Sequence, residues 1–137
     1  MDSLQAFFGD LKVWGADDSA ILRIALIGSH ARGSARPDSD IDVIVVVNDP
    51  VPYLDDSGWA GRFGTPLDIS REDWGLVQSA RVHYDDGKHV EFGFTTPAWV
   101  RTNPVDADTA KVAAGGLMIV CDPQGLLLRL LAALTSM

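Results

Sequence analysis

Cysteine is almost missing from this 137-residue chain, which holds only Cys121. No intrachain disulfide can form, and a reducing, cytoplasmic setting fits such usage best. Cys121 itself reads as an ordinary core thiol at a strand end. Basic residues are also in deficit, eleven Lys and Arg against nineteen Asp and Glu, for a formal charge of −8. That surplus repels polyanions at long range and argues against extended binding to DNA or RNA, although a short basic island could still hold one triphosphate. Long apolar runs are lacking too. No stretch reaches the length of a membrane span, and the start, Met1-Asp2-Ser3-Leu4-Gln5, has neither the basic residues nor the apolar run of a signal peptide. The densest run, Leu126 to Leu134, is interrupted by Arg129 and too short to cross a bilayer. The expectation is a soluble chain without a membrane partner.

What the chain does have is 47% hydrophobic residues, enough at this length to bury a substantial core, so residues 1–137 are expected to form one domain. Leu4, Phe7, Phe8, Leu11 and Trp14 recur at helical spacing, and Gly15 with Asp17-Asp18-Ser19 ends that helix. Ile21 to Ile27 reads as a strand buried on both faces, stopping at Gly28. One or two helical turns follow to Arg36, closed by Pro37, and then a second strand from Asp40 to Val47. Pro52 to Asp73 reads as loop with a short helix near Tyr53 to Arg62. Gly75 to Tyr84 and Lys88 to Thr95 flank Asp85-Asp86-Gly87, a hairpin turn. In the second arm Val90, Phe92 and Phe94 face one way and Glu91, Gly93 and Thr95 the other. Past Pro97 and Pro104 come a short helix over Ala107 to Ala114, a strand from Leu117 to Cys121, and a final helix after Pro123. The sum is a mixed sheet of about four or five strands covered by helices.

Three features carry chemistry when read together. Asp40 and Asp42 are two residues apart on a strand, so their carboxylates leave the same face. Glu91, one of only two glutamates, sits between Val90 and Phe92 in a half-buried strand, where surface solvation explains it poorly. If it projects onto that face, three hard oxygen donors converge, which suits Mg²⁺, and the repulsion among them calls for a cation. Gly28 and Ser29 stand where a strand gives way to a helix, a place where free backbone N–H groups attract phosphate. Arg32 and Arg36, with His30, make a local basic cluster, and Arg32 is the first choice for a phosphate contact.

The run Gly28-Ser29, ten residues, Asp40-Ile41-Asp42, and then Val90-Glu91-Phe92 resembles the signature of the nucleotidyltransferase superfamily related to DNA polymerase beta. The resemblance spans Ile21 to Thr95 and is strongest to the small bacterial nucleotidyltransferase-domain proteins, which include members paired with toxin proteins. It implies an α+β fold, a mixed and mostly antiparallel sheet flanked by helices. It assigns Gly28 and Ser29 to the triphosphate and Asp40 and Asp42 to metal; Arg32, from the local basic cluster, and Ser39 are expected beside them as nucleotide-binding residues. Glu91 takes the third carboxylate position, as metal ligand, general base or both. The implied activity is transfer of a nucleoside monophosphate, AMP by preference, from ATP or another NTP to a hydroxyl, assisted by two Mg²⁺ ions. The acceptor, a protein or a small molecule, is not legible. The competing reading is a non-catalytic nucleotide-binding or antitoxin-type module that keeps the fold; three maintained carboxylates argue against it.

The remaining candidates read more plainly. His30, His83 and His89 lack a ligand spacing and are taken as structural or surface residues, while Trp59, Trp74 and Trp99 stay open between stacking on a base or acceptor ring and the commoner role of core packing. The final helix is apolar around most of its circumference, which points to a homodimer or partner interface through the tail.

Overall fold

The computed structural model describes residues 3–33, 35–36, 39–100, 106–122 and 125–135. Helix α1 (Ser3–Asp17) leads into strand β1 (Ile21–Ile27), a single helical turn α2 (Ser29–Arg32) and strand β2 (Ile41–Val47). Helix α3 (Val51–Asp55) and a 3₁₀ segment (Gly58–Phe63) precede strands β3 (Pro66–Asp73), β4 (Gln78–Tyr84) and β5 (His89–Thr95). A 3₁₀ turn (Pro97–Val100), helix α4 (Ala107–Ala114), strand β6 (Leu117–Cys121) and helix α5 (Leu126–Thr135) complete the order. Pro37, Pro104 and Pro123, expected to punctuate the chain, lie outside the described residues.

Among the described residues the sheet has six strands in the order β3-β4-β5-β2-β1-β6, parallel only between β2 and β5. The mixed, mostly antiparallel α+β class holds, but the count exceeds the four or five expected. The extra strand is β3, read from sequence as loop. It lies at the sheet edge and is largely exposed along its length, with Ile69 packing on the core and Leu67 left 69% exposed. An edge strand with little to bury shows no apolar alternation, so period-two reading passes over it. Its partner β4 fixes it instead, through register pairs from Pro66↔Tyr84 to Asp73↔Gln78.

Strand alternation divides the apolar side chains between two cores. On one face Val43, Val45, Phe92 and Phe94 pack with Phe7, Leu11 and Trp14 of α1 and with Phe63. Trp14 stacks on Trp59 with ring centroids 5.6 Å apart, and Trp59 meets Phe92 edge-on at 4.7 Å. On the other face Ala25, Ile44 and Val46 pack with Trp99 and with Leu127 and Leu130 of α5. Helix α5 therefore spends much of its apolar surface on its own sheet, while Leu128 remains 63% exposed. Its start is capped by Asp122, whose carboxylate accepts from the N–H groups of Leu127 and Leu128 at 3.1 Å and pairs with buried Arg23 at 3.6 Å. No helix among the described residues is long and apolar enough to cross a membrane.

Candidate active site

Asp42 and Glu91 are register partners across the parallel β2–β5 pair, so two strands distant in sequence hold their carboxylates side by side. Both alternate with the residues of the Trp14 core and so project onto the opposite face, beside Ile44 and Gly93. Glu91 meets the condition set for it by sequence reasoning, an adjacent strand and the same face. A protonated Asp42 carboxyl can donate a hydrogen bond to the Glu91 carboxylate. Burial, the charge of Glu91, that bond and the charge of Asp40 together push the Asp42 carboxyl from 3.8 up to about 7, with Arg81 pulling the other way.

Asp40 stands one residue before β2 rather than within it, half exposed, with His89 Nδ1 3.6 Å from its Oδ1. His89 in turn stacks on His83, ring centroids 4.1 Å apart. Among the described residues no three His, Cys, Asp or Glu side chains are gathered into a ready-made metal shell. The donor set nevertheless fits a hard divalent cation: the paired carboxyls of Asp42 and Glu91 offer only oxygen, and a raised pKa is the mark of negative charge in need of neutralisation.

Gly28 ends β1 opposite this pair. Its φ of +74° favours glycine, and a Cβ there would stand 2.9 Å from Asp42 Oδ2. The turn it makes hands the chain to Ser29, the first residue of α2. Ser39 closes the following loop, its Oγ accepting from the Arg36 N–H at 2.8 Å and its carbonyl lying 3.4 Å from His30 Nε2. The side chain of Arg32 lies outside the described residues.

Arg81 escapes sequence reasoning as a functional candidate, and Trp74 is legible there only as one of three aromatics with an open role. Arg81 Nη2 lies 3.7 Å from Glu91 Oε2 and its Nε lies 3.6 Å from Glu72 Oε1. Trp74 donates its indole N–H to Glu91 Oε1 at 3.2 Å and is 59% exposed, outside both cores. The signal for Arg81 was present: a turn at 85–87 pairs His83 with His89 and hence Arg81 with Glu91. For Trp74 the sequence does not decide between stacking and core packing, because its place in the β3–β4 turn depends on a strand that carries no apolar alternation. Trp99 and Trp59 do pack in the two cores.

A cavity of about 420 Å³ opens from the carboxylate pair. Its floor is Ile44, Ser79 and Gly93; the β3–β4 turn forms one wall, and Trp99 with Lys111 and Val112 of α4 the other. Gly93 keeps the floor low, since a Cβ there would meet Val77 Cγ1 at 2.7 Å.

The profile of the Nucleotidyltransferase domain family matches residues 11–92. Comparison with curated protein sequences gives no match. Among solved structures, an aminoglycoside 6-adenyltransferase from Bacillus subtilis superposes with a TM-score of 0.52 at 15% identity, covering 71% of this chain and 35% of that one. A CCA-adding enzyme in its apo form superposes with a TM-score of 0.51 at 16% identity, covering 96% of this chain and 32% of that one. These likenesses show a shared fold, and the chain spans about a third of the length of either structure.

Proposed function

The chain belongs to the nucleotidyltransferase-domain family, and from that premise we propose that it moves a nucleoside monophosphate, AMP in our reading, from an NTP to a hydroxyl of an acceptor. The observation that carries this is the in-register pair Asp42 and Glu91 with Gly28 pressed against it, a carboxylate site open to a phosphate only where no Cβ intervenes. Asp42 and Glu91, joined by Asp40, would hold Mg²⁺, which when bound supplies charge stabilisation to the phosphates and acidifies the acceptor hydroxyl. Gly28, Ser29, Arg32 and Ser39 receive the triphosphate. Arg81 and Trp74 hold the Glu91 carboxylate in place, and Glu91 accepts the proton of the attacking hydroxyl. Self-association through α5, using exposed Leu128, belongs to the same reading; a dimer mass in light scattering at micromolar concentration supports it and a monomer mass removes it.

The test is incubation with Mg²⁺, each of the four NTPs in turn and a cell lysate, read by mass spectrometry. A nucleotide mass increment on an acceptor, lost in Asp42→Asn, is expected. An increment that survives Asp42→Asn at the original rate overturns the assignment. Tight NTP binding with no increment on any component instead favours the non-catalytic module, a reading to which the exposed position of Asp40 outside β2 lends weight.

A further inference from the structure

The cavity beside the carboxylate pair is unlike a site for a polycation or a nucleic acid. Apart from Asp42, Glu91 and Ser79, its described walls are apolar or aromatic, with Lys111 as the one cation among them, unpaired among the described residues. The exposed ring of Trp74 stands at the rim and the buried ring of Trp99 at the back. The β3–β4 turn that carries Trp74 is strapped to β5 at two points, Trp74 Nε1 to Glu91 and Thr95 Oγ1 to the Leu76 carbonyl, so this wall is pre-set. Direction decides which half of the reaction the cavity serves. Phosphoryl displacement runs in line, so the attacking oxygen approaches opposite the departing pyrophosphate. With the triphosphate against Gly28 on the β1 side of Asp42, the opposite side is the Glu91 side, where the cavity extends over β5 and β4.

We propose that this cavity is the acceptor subsite, and that it takes a small ring-bearing alcohol or phenol with an anionic group at its far end. The inference rests on the nucleotidyl-transfer reading above and adds the acceptor class to it. The ring lies against Trp74 and the apolar floor, the anion reaches Lys111, and the hydroxyl is left beside Glu91. In the transfer the acceptor O–H bond breaks and its proton passes to the Glu91 carboxylate. The acceptor oxygen bonds to the α-phosphorus, and the bond from that phosphorus to the β-phosphate bridging oxygen breaks, releasing pyrophosphate.

The probe is 4-hydroxyphenylacetate, titrated into the full chain while the Trp99 indole N–H resonance is followed by NMR. A saturable shift is expected, weakened roughly tenfold in Trp74→Ala and by a smaller factor in Lys111→Ala. An unchanged titration in both variants overturns the proposal. So does displacement of the probe by adenosine, which would make the cavity a base subsite, and so does a Trp99 shift produced by kanamycin at lower concentration than by the probe. A separate Mg·ATP titration of the wild-type chain tests the transfer reading alone. If ATP fails to bind while the probe is held, the transfer reading falls and takes the acceptor role with it, whereas ATP binding without probe binding sinks the acceptor class and leaves transfer standing.

Discussion

On one face of the sheet Val43, Val45, Phe92 and Phe94 are buried beneath α1 and the Gly58–Phe63 segment. One step along the same strands, Asp42, Ile44, Glu91 and Gly93 border an open cavity. The closed face is an aromatic cluster whose rings satisfy one another; the open face concentrates acidic charge that Arg81 of β4 offsets only in part. Stability and chemistry are thus separated by a single-residue offset, which a β-strand provides at no cost in chain length.

Mutations that act on one face and spare the other break this comparison most directly. The largest effect belongs to Asp42→Asn, which should lower transfer by about 10²- to 10³-fold, as expected for removing a central electrostatic group, without lowering the melting temperature. Steady-state kinetics and calorimetry on one sample check both halves. Next is Phe92→Ala on the closed face, expected to cost about 3–5 kcal/mol of stability by denaturant unfolding. Its neighbour Glu91→Gln, on the open face, should leave stability equal or higher, because it removes a like charge from Asp42. Asp122→Ala breaks the buried Arg23 pair and the α5 cap together and should cost about 3 kcal/mol, measured the same way; a loss under about 1 kcal/mol would show that the pair is dispensable.

The contrast is sharpened further through pH. The folded Asp42 carboxyl keeps its proton up to about 7, whereas the unfolded one releases it near 3.8. Between those values the folded chain binds more protons, so its stability falls as pH rises through the window and the penalty is complete above 7. A melting temperature lower at pH 8 than at pH 5 is expected, with the difference reduced in Asp42→Asn and also by millimolar Mg²⁺ at pH 8. Equal slopes in wild type and Asp42→Asn would place the pH dependence elsewhere.

Strong local patterns were legible in the sequence because they are local. Ile21 to Ile27 and Val43 to Val47 are too apolar and branched to be anything but buried strands, and Asp85-Asp86-Gly87 announces the hairpin that fixes Arg81 opposite Glu91. Strand β3 was not legible, since Asp68, Arg71, Glu72 and Asp73 lie on an edge that buries little and hydrogen bonds to β4 carry the pairing. Without β3 the turn at 74–77 has no place, so the sequence offers no choice for Trp74 between stacking on a ligand and packing in a core; the fold leaves it exposed.

The sequence alone determined which residues carry charge on an otherwise apolar strand, because a glutamate flanked by Val90 and Phe92 can face only one of two ways. That Asp42 and Glu91 share a register position, that Gly28 leaves room for their carboxylates, and that a cavity lies behind them were decided by tertiary structure. The parallel β2–β5 pairing joins Asp42 and Glu91 across forty-eight intervening residues through a crossover, and no local propensity encodes that distance.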